Sequence, residues 1–299
     1  MSGKYLIILI ISLNGLILAK SGFYFLRTEM SAKEVSTAQT SYLFSSSVEN
    51  AALNPASAMG SEKVTAGVSY KILFEDAEAS MFSISYREDS HQYGFILSNL
   101  NISGLEAYDV PSDEPLYEFG SSNLIAAANY VYKFSSGINF GVSGKYLFEK
   151  IEYEDSYGFA GSAGIFRECK FVKNLNIGLS VNNIGTMSRL DEKKTELPSD
   201  VLFGLGYVYE TSFNIDIKAG NSTRYLFNDE ETENFTGIEL SYLKRFFLRS
   251  GFRAMNEGMP FSAGIGIVAD KFSFDYSFTP FSDEEGDNSH AMTLGYSLK

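Results

Sequence analysis

From Val64 onward, large apolar residues recur at every second position, and this period constrains the chain more than any other feature. Ile138, Phe140, Val142 and Tyr146 alternate with Asn139, Gly141, Ser143 and Lys145. Leu175, Ile177, Leu179 and Val181 alternate with Asn176, Gly178, Ser180 and Asn182, and Phe272, Phe274, Tyr276 and Phe278 with Ser273, Asp275, Ser277 and Thr279. Alternation puts the two sets on opposite faces of a strand, whereas a helix would scatter them around its circumference. One face is therefore large and apolar, the other small or polar. A soluble sandwich buries the apolar face, and a membrane barrel turns it to lipid. Alternation alone does not separate the two.

About fourteen such runs can be placed. They lie near Val64–Ile72, Ala79–Tyr86, Gln92–Asn99, Ser122–Tyr132, Ile138–Phe148, Ser156–Phe166, Leu175–Asn183 and Val201–Tyr209. The rest lie near Ser212–Gly220, Phe235–Leu243, Phe246–Arg253, Pro260–Val268, Phe272–Thr279 and Ala291–Leu298. Most are long enough to cross a bilayer at a tilt, which takes roughly 9–11 residues. The links decide between sandwich and barrel. Short links follow even-numbered runs, at Lys133–Gly137, Glu210–Thr211, Lys244–Arg245 and Ala269–Lys271. Long links follow odd-numbered ones, at Leu100–Ser121, Ile184–Asp200, Asn221–Asn234 and Pro280–His290. This sidedness is that of an outer-membrane barrel and leaves both ends of the strand region on the short-link side. The reading is an all-β fold: an antiparallel transmembrane β-barrel of about 14 strands, residues 61–299, with its surface against outer-membrane lipid.

Two segments precede it. Lys4 followed by the apolar run Tyr5–Leu18 and the small-residue exit Ala19-Lys20-Ser21 reads as a signal peptide, residues 1–21, cleaved after Ala19 or Ser21. A retained anchor is the alternative, because the run approaches the shortest spanning length. Residues 22–60 lack alternation, have a Ser-rich middle, and end in Asn54-Pro55-Ala56-Ser57. They read as a short hatch or plug entering the barrel from the short-link side.

Charge and composition narrow the function. A net charge of −13 argues against a nucleic-acid partner. The single cysteine, Cys169, has no internal disulfide partner, and the sequence holds no ligand spacing for a metal and no cofactor motif. His91 and His290 lack a placed nucleophile or acid, so an enzyme is not expected. The acids concentrate in the long links: Glu106, Asp109, Asp113, Glu114 and Glu118; Asp229, Glu230, Glu231 and Glu233; Asp283, Glu284, Glu285 and Asp287. They read first as a solvated rim, and second as ligands for divalent cations between lipid phosphates. On the small face, Asp216, Lys218, Glu239, Arg249, Arg253 and Asp275 fall on nearby strands as three acids and three bases. They are expected to form an internal ion-pair network, or to hold a ligand head or the hatch.

Several stretches then resemble a known group. Asn54-Pro55-Ala56 after a Ser-rich segment, Gly144-Lys-Tyr-Leu-Phe-Glu-Lys-Ile151, Gly178-Leu-Ser-Val-Asn-Asn-Ile-Gly185, Leu197-Pro198 and Gly204-Leu-Gly-Tyr207 resemble the FadL-like barrels, especially the PorV/PorQ (UPF0164-type) branch. The resemblance implies a 14-stranded barrel with an N-terminal hatch. It also implies either a conduit for hydrophobic molecules with a lateral wall opening, or a docking protein for secreted cargo. Asn54, Pro55 and Ala56 become hatch-contact residues on this reading. The chain departs from the group at Ala56-Ser57, where Ala-Gly is common, and at its end, which lacks a terminal aromatic. Transport of a hydrophobic molecule is the expected function; a docking or purely structural barrel is the alternative. Tyr108, Tyr117, Phe119, Tyr225, Phe227 and Phe281 in the long links would give a first apolar contact or an interfacial belt.

Overall fold

The computed structural model describes residues 22–74, 76–108, 115–169, 172–190, 193–211, 213–254, 261–280 and 288–298. The leader reading at 1–21, Phe281, and the acids Asp109, Asp113, Glu114, Asp283, Glu284, Glu285 and Asp287 lie outside them. Fourteen strands close into one antiparallel barrel. The first seven are β1 Val64–Phe74, β2 Ala77–Glu88, β3 His91–Ala107, β4 Tyr117–Lys133, β5 Ile138–Ile151, β6 Glu154–Glu168 and β7 Leu175–Met187. The others are β8 Asp200–Glu210, β9 Ile215–Leu226, β10 Glu231–Tyr242, β11 Phe246–Ala254, β12 Phe261–Ala269, β13 Phe272–Thr279 and β14 Ser289–Leu298. β1 pairs with β14 from Val64 opposite Leu298 to Ile72 opposite His290, so no edge is left unpaired.

Every alternating run forms a strand, because register alone fixes which face each residue takes. The apolar sets point outward: Val68, Phe82, Phe95, Leu179, Phe203, Leu248 and Leu294 are all exposed on the outer face. A continuous apolar exterior of this kind is unstable in water and stable against hydrocarbon. Two imidazoles lie near its borders. His91 Nδ1 lies 2.8 Å from the Tyr130 hydroxyl at the rim where β1 begins and β14 ends, the terminal rim. His290 Nδ1 lies 2.8 Å from the Tyr276 hydroxyl near the opposite rim. Each histidine is held in an outward aromatic cluster.

The long links are shorter than the alternation implied. Residues assigned to them continue the β-ladder, so Asn221 pairs with Thr236 and Leu226 with Glu231, leaving only four residues between β9 and β10. Likewise Leu105 pairs with Phe119 in a β3–β4 hairpin that rises past its neighbours. The polar outer residues hid this extension, because a strand that leaves the apolar layer loses its hydrophobic period but keeps its hydrogen bonds. One consequence is chemical. Glu233, placed by sequence on a solvated rim, faces the lumen and is buried.

Candidate functional site: the plugged lumen

Residues 22–60 fill the lumen as a chain of short turns. It contains 3-10 turns Tyr24–Arg27, Ser41–Leu43, Val48–Ala52 and Pro55–Ala58, and one short helix, α1, Ala32–Ser36. Such a chain cannot satisfy its own backbone groups, so the wall does it. Asn176 Nδ2 donates to Leu43 O (2.7 Å), Ser180 Oγ to Leu53 O (2.7 Å) and Asn139 Nδ2 to Ala56 O (3.4 Å). The small-residue face reads in this light as a seat. A Cβ at Gly141, Gly237 or Gly251 would collide with plug backbone at Ala56, Thr37 or Ala38. Only glycine lets two backbones approach so closely.

The expected hatch contact lies in this seat. Asn54 Oδ1 accepts from Ala56 N at 3.0 Å, starting the Pro55–Ala58 turn, with Pro55 at its first position. Its amide donates to the carbonyls of Ile165 on β6 (3.2 Å) and Leu179 on β7 (3.4 Å). Asn54, Pro55 and Ala56 are all buried.

The expected charge cluster divides in two. Near the terminal rim, Glu239 accepts from Lys218 Nζ (2.9 Å) and Arg249 Nε (2.6 Å), and Arg249 Nη1 donates to Asp275 at 2.5 Å. Asp216 is beside this ladder but accepts from the Ser241 hydroxyl instead of pairing with a cation (3.3 Å). Arg253 does not join it. Four residues beyond Arg249 on β11, it pairs with Glu29 of the plug (2.8 Å), which also lies 3.7 Å from Lys71 of β1. Burial opposes ionisation of Glu29, but Arg253, Lys71 and the Gln39 amide outweigh it and hold its carboxyl at about 2. Gln39 links Glu29 to Arg224, which reaches Glu233 (3.4 Å) and Asp200 (3.7 Å); Glu233 in turn pairs with Arg27. Glu29, Gln39, Lys71, Asp200, Arg224 and Glu233 were missed. Lys71 and Arg224 were legible as lumen residues from the alternation, since each lies an even number of positions from a small lumen residue. Glu29 and Gln39 belong to a segment without a period, which carried no such signal.

A third feature had no sequence signal. On the β2–β5 side the lumen wall is apolar, with Met81, Ile96, Leu100 and Leu147 buried against Phe25, Leu26 and Met30 of the plug. A cavity of about 50 Å³ opens there between Phe25, Leu26, Met30 and Ala52 of the plug and Met81, Ile96 and Ile125 of the wall. Glu34, Glu49 and Lys145 supply its polar edge. Burial, and then the nearby charge of Glu29, push the Glu34 carboxyl up to about 8. Lys145 donates to Asn183 Oδ1 at 2.6 Å. The cavity is smaller than the roughly 150 Å³ that accommodates benzene.

The lateral opening implied by the resemblance has no counterpart in the described ladders. Registers shift at Ile72/Phe74 and Ile102/Leu105, both near the opposite rim, and at Gly161/Ala163 between β6 and β7. The last is a bulge stitched by Asn183 N to Ser162 Oγ (3.2 Å). Among the described residues no group of acids, His or Cys could hold a metal ion.

No family model matches the sequence, and no curated protein matches it. Solved structures do. The toluene transporter TodX of Pseudomonas putida superposes with a TM-score of 0.62 at 13% identity, covering 89% of this chain and 97% of TodX. A TodX deltaS2S3 mutant, described as a monoaromatic hydrocarbon channel, gives 0.61 at 12%, covering 90% and 98%. The fold is shared with TodX. At such identity the likeness extends to the closed 14-strand barrel, and the contents of the lumen have to be read from this chain.

Proposed function

We propose that the protein is an outer-membrane barrel that passes small hydrophobic molecules, with residues 22–60 as the plug. The observation that carries this reading is the apolar cavity under residues 25–30, inside a lumen otherwise filled by plug and ion pairs. A water-filled diffusion pore would instead need an open polar lumen. The apolar exterior supports the membrane setting, and the fold shared with a hydrocarbon transporter supports a FadL-like conduit. Passage on this reading needs residues 22–30 to move, since the cavity of about 50 Å³ is too small.

Uptake of radiolabelled monoaromatic and long-chain fatty-acid probes into liposomes carrying the purified barrel tests the proposal. Uptake above protein-free liposomes is expected, with loss on Ile96→Trp, which fills the cavity. A folded barrel that takes up neither probe, while cross-linking recovers secreted proteins on the opposite-rim loops, would replace transport with docking.

A further inference from the structure

The plug runs the height of the lumen, and its two ends leave at opposite rims. Gly60 N donates to Gln92 Oε1 at 2.7 Å, beside the start of β3 at the terminal rim. At the other end, Gly22 N donates to Glu196 O at 2.8 Å, in the link between β7 and β8 at the opposite rim. Arg27 fixes the same end by pairing with Glu233, two residues into β10 from that rim. Phe23 and Phe25 pack with Leu197 and Met187 in one buried cluster there. Thr195 is so close to Gly22 that a Cβ would press on its methyl group. The expectation that the segment enters from the terminal rim therefore holds only for its Gly60 end.

This placement bears on the leader. The apolar run ends at Leu18. Four residues from there to Gly22 reach about 14 Å at most. Gly22 itself stands at the opposite rim, with the filled lumen between it and the terminal rim. We infer that the leader is removed ahead of Gly22 and that the new N-terminus is displayed at the opposite rim, away from the barrel's own two ends. That rim is the cell's outer surface if the barrel sits in the outer membrane as proposed above, and this part of the inference rests on that reading. The display leaves the 45% exposed Tyr24 open to an outside molecule at that rim.

Two cysteines test it. Cys169 is the chain's only one and lies in the link after β6 at the terminal rim. A Tyr24→Cys chain in a Cys169→Ser background, and the native chain, are treated with a membrane-impermeant maleimide in intact and permeabilised cells. The expected result is labelling of Tyr24→Cys in intact cells, labelling of Cys169 only after permeabilisation, and a purified N-terminus between Ala19 and Gly22. Labelling of both sites only after permeabilisation overturns the display, as does a purified chain that keeps Tyr5–Leu18. Recovery of both in a soluble fraction overturns the membrane reading and the inference with it. Because Arg27 stacks over Tyr24, an epitope inserted ahead of Gly22 is a second form of the test. Antibody binding to intact cells is expected, and binding that needs permeabilisation overturns the display.

Discussion

The two stretches of the plug are held by different forces. Residues 36–56 are seated backbone to backbone on wall glycines, and wall asparagines and serines donate to their carbonyls. Past the backbone bond from Gly22 to Glu196, residues 22–30 touch the wall mainly through side chains: Arg27 and Glu29 through ion pairs, Phe25, Leu26 and Met30 through apolar packing over the cavity. The first kind of contact tolerates no displacement, because it depends on the absence of side chains. The second can be broken and remade, because charged side chains find water when they move. The difference points to a fixed seat and a movable cap within one segment.

The seat should fail most severely. Gly141→Ala would drive a methyl group into the Pro55–Ala56 backbone, whereas Gly144→Ala meets nothing within 4 Å. Heat-modifiable migration in detergent should show loss of most folded barrel for the first and none for the second. Equal behaviour of the pair would remove the seat from the account. Next comes the cap. Arg253→Met leaves buried Glu29 with Lys71 as its one cation and the Gln39 amide as donor, and breaking a buried pair costs about 3–5 kcal/mol. The measurable outcome is faster proteolysis around residues 22–30 with the barrel band unchanged. Asn54→Ala removes one cap and two wall bonds of the seat, and a loss of about 1–2 kcal/mol is expected in urea unfolding.

Acidity should act on the plug through two carboxyls, Glu34 and Glu29. Glu34 is raised to about 8 in the folded chain from an ordinary value of 4.5, so its stabilisation is full below 4.5 and is lost as pH rises through about 8. Glu29 runs the other way: held at about 2, it stabilises above 4.5 and loses that contribution as pH falls towards 2. Proteolysis around residues 22–30 should therefore be slowest at mildly acidic pH, and Glu34→Gln should flatten the alkaline arm only. The smallest effect is expected at the exposed Lys244–Glu210 pair, 3.9 Å apart, where Lys244→Ala should leave unfolding unchanged.

The sequence was legible where a period existed. All fourteen strands followed from alternation, as did the lumen position of Asp216, Lys218, Glu239, Arg249, Arg253 and Asp275. Which of these touch was not legible, because pairing across the lumen depends on strand stagger and on the plug. Arg253 finds its partner in Glu29, 224 positions away in sequence (253 − 29), which no local pattern connects to it. Glu233 was misplaced for a different reason: outside the apolar layer a strand needs no hydrophobic residues, so its ladder reads as an acidic loop. The apolar half of the wall, from Met81 to Leu147, also hid in plain alternation, since both faces of β2–β5 carry large residues at that height.

Planar-bilayer conductance tests the central claim most directly, that a movable cap on a fixed seat closes this barrel. The full chain should show no steady ionic conductance. A variant with residues 23–30 replaced by a Gly/Ser linker should fold and conduct. Steady conductance by the full chain, or a folded variant that remains closed, would contradict the account.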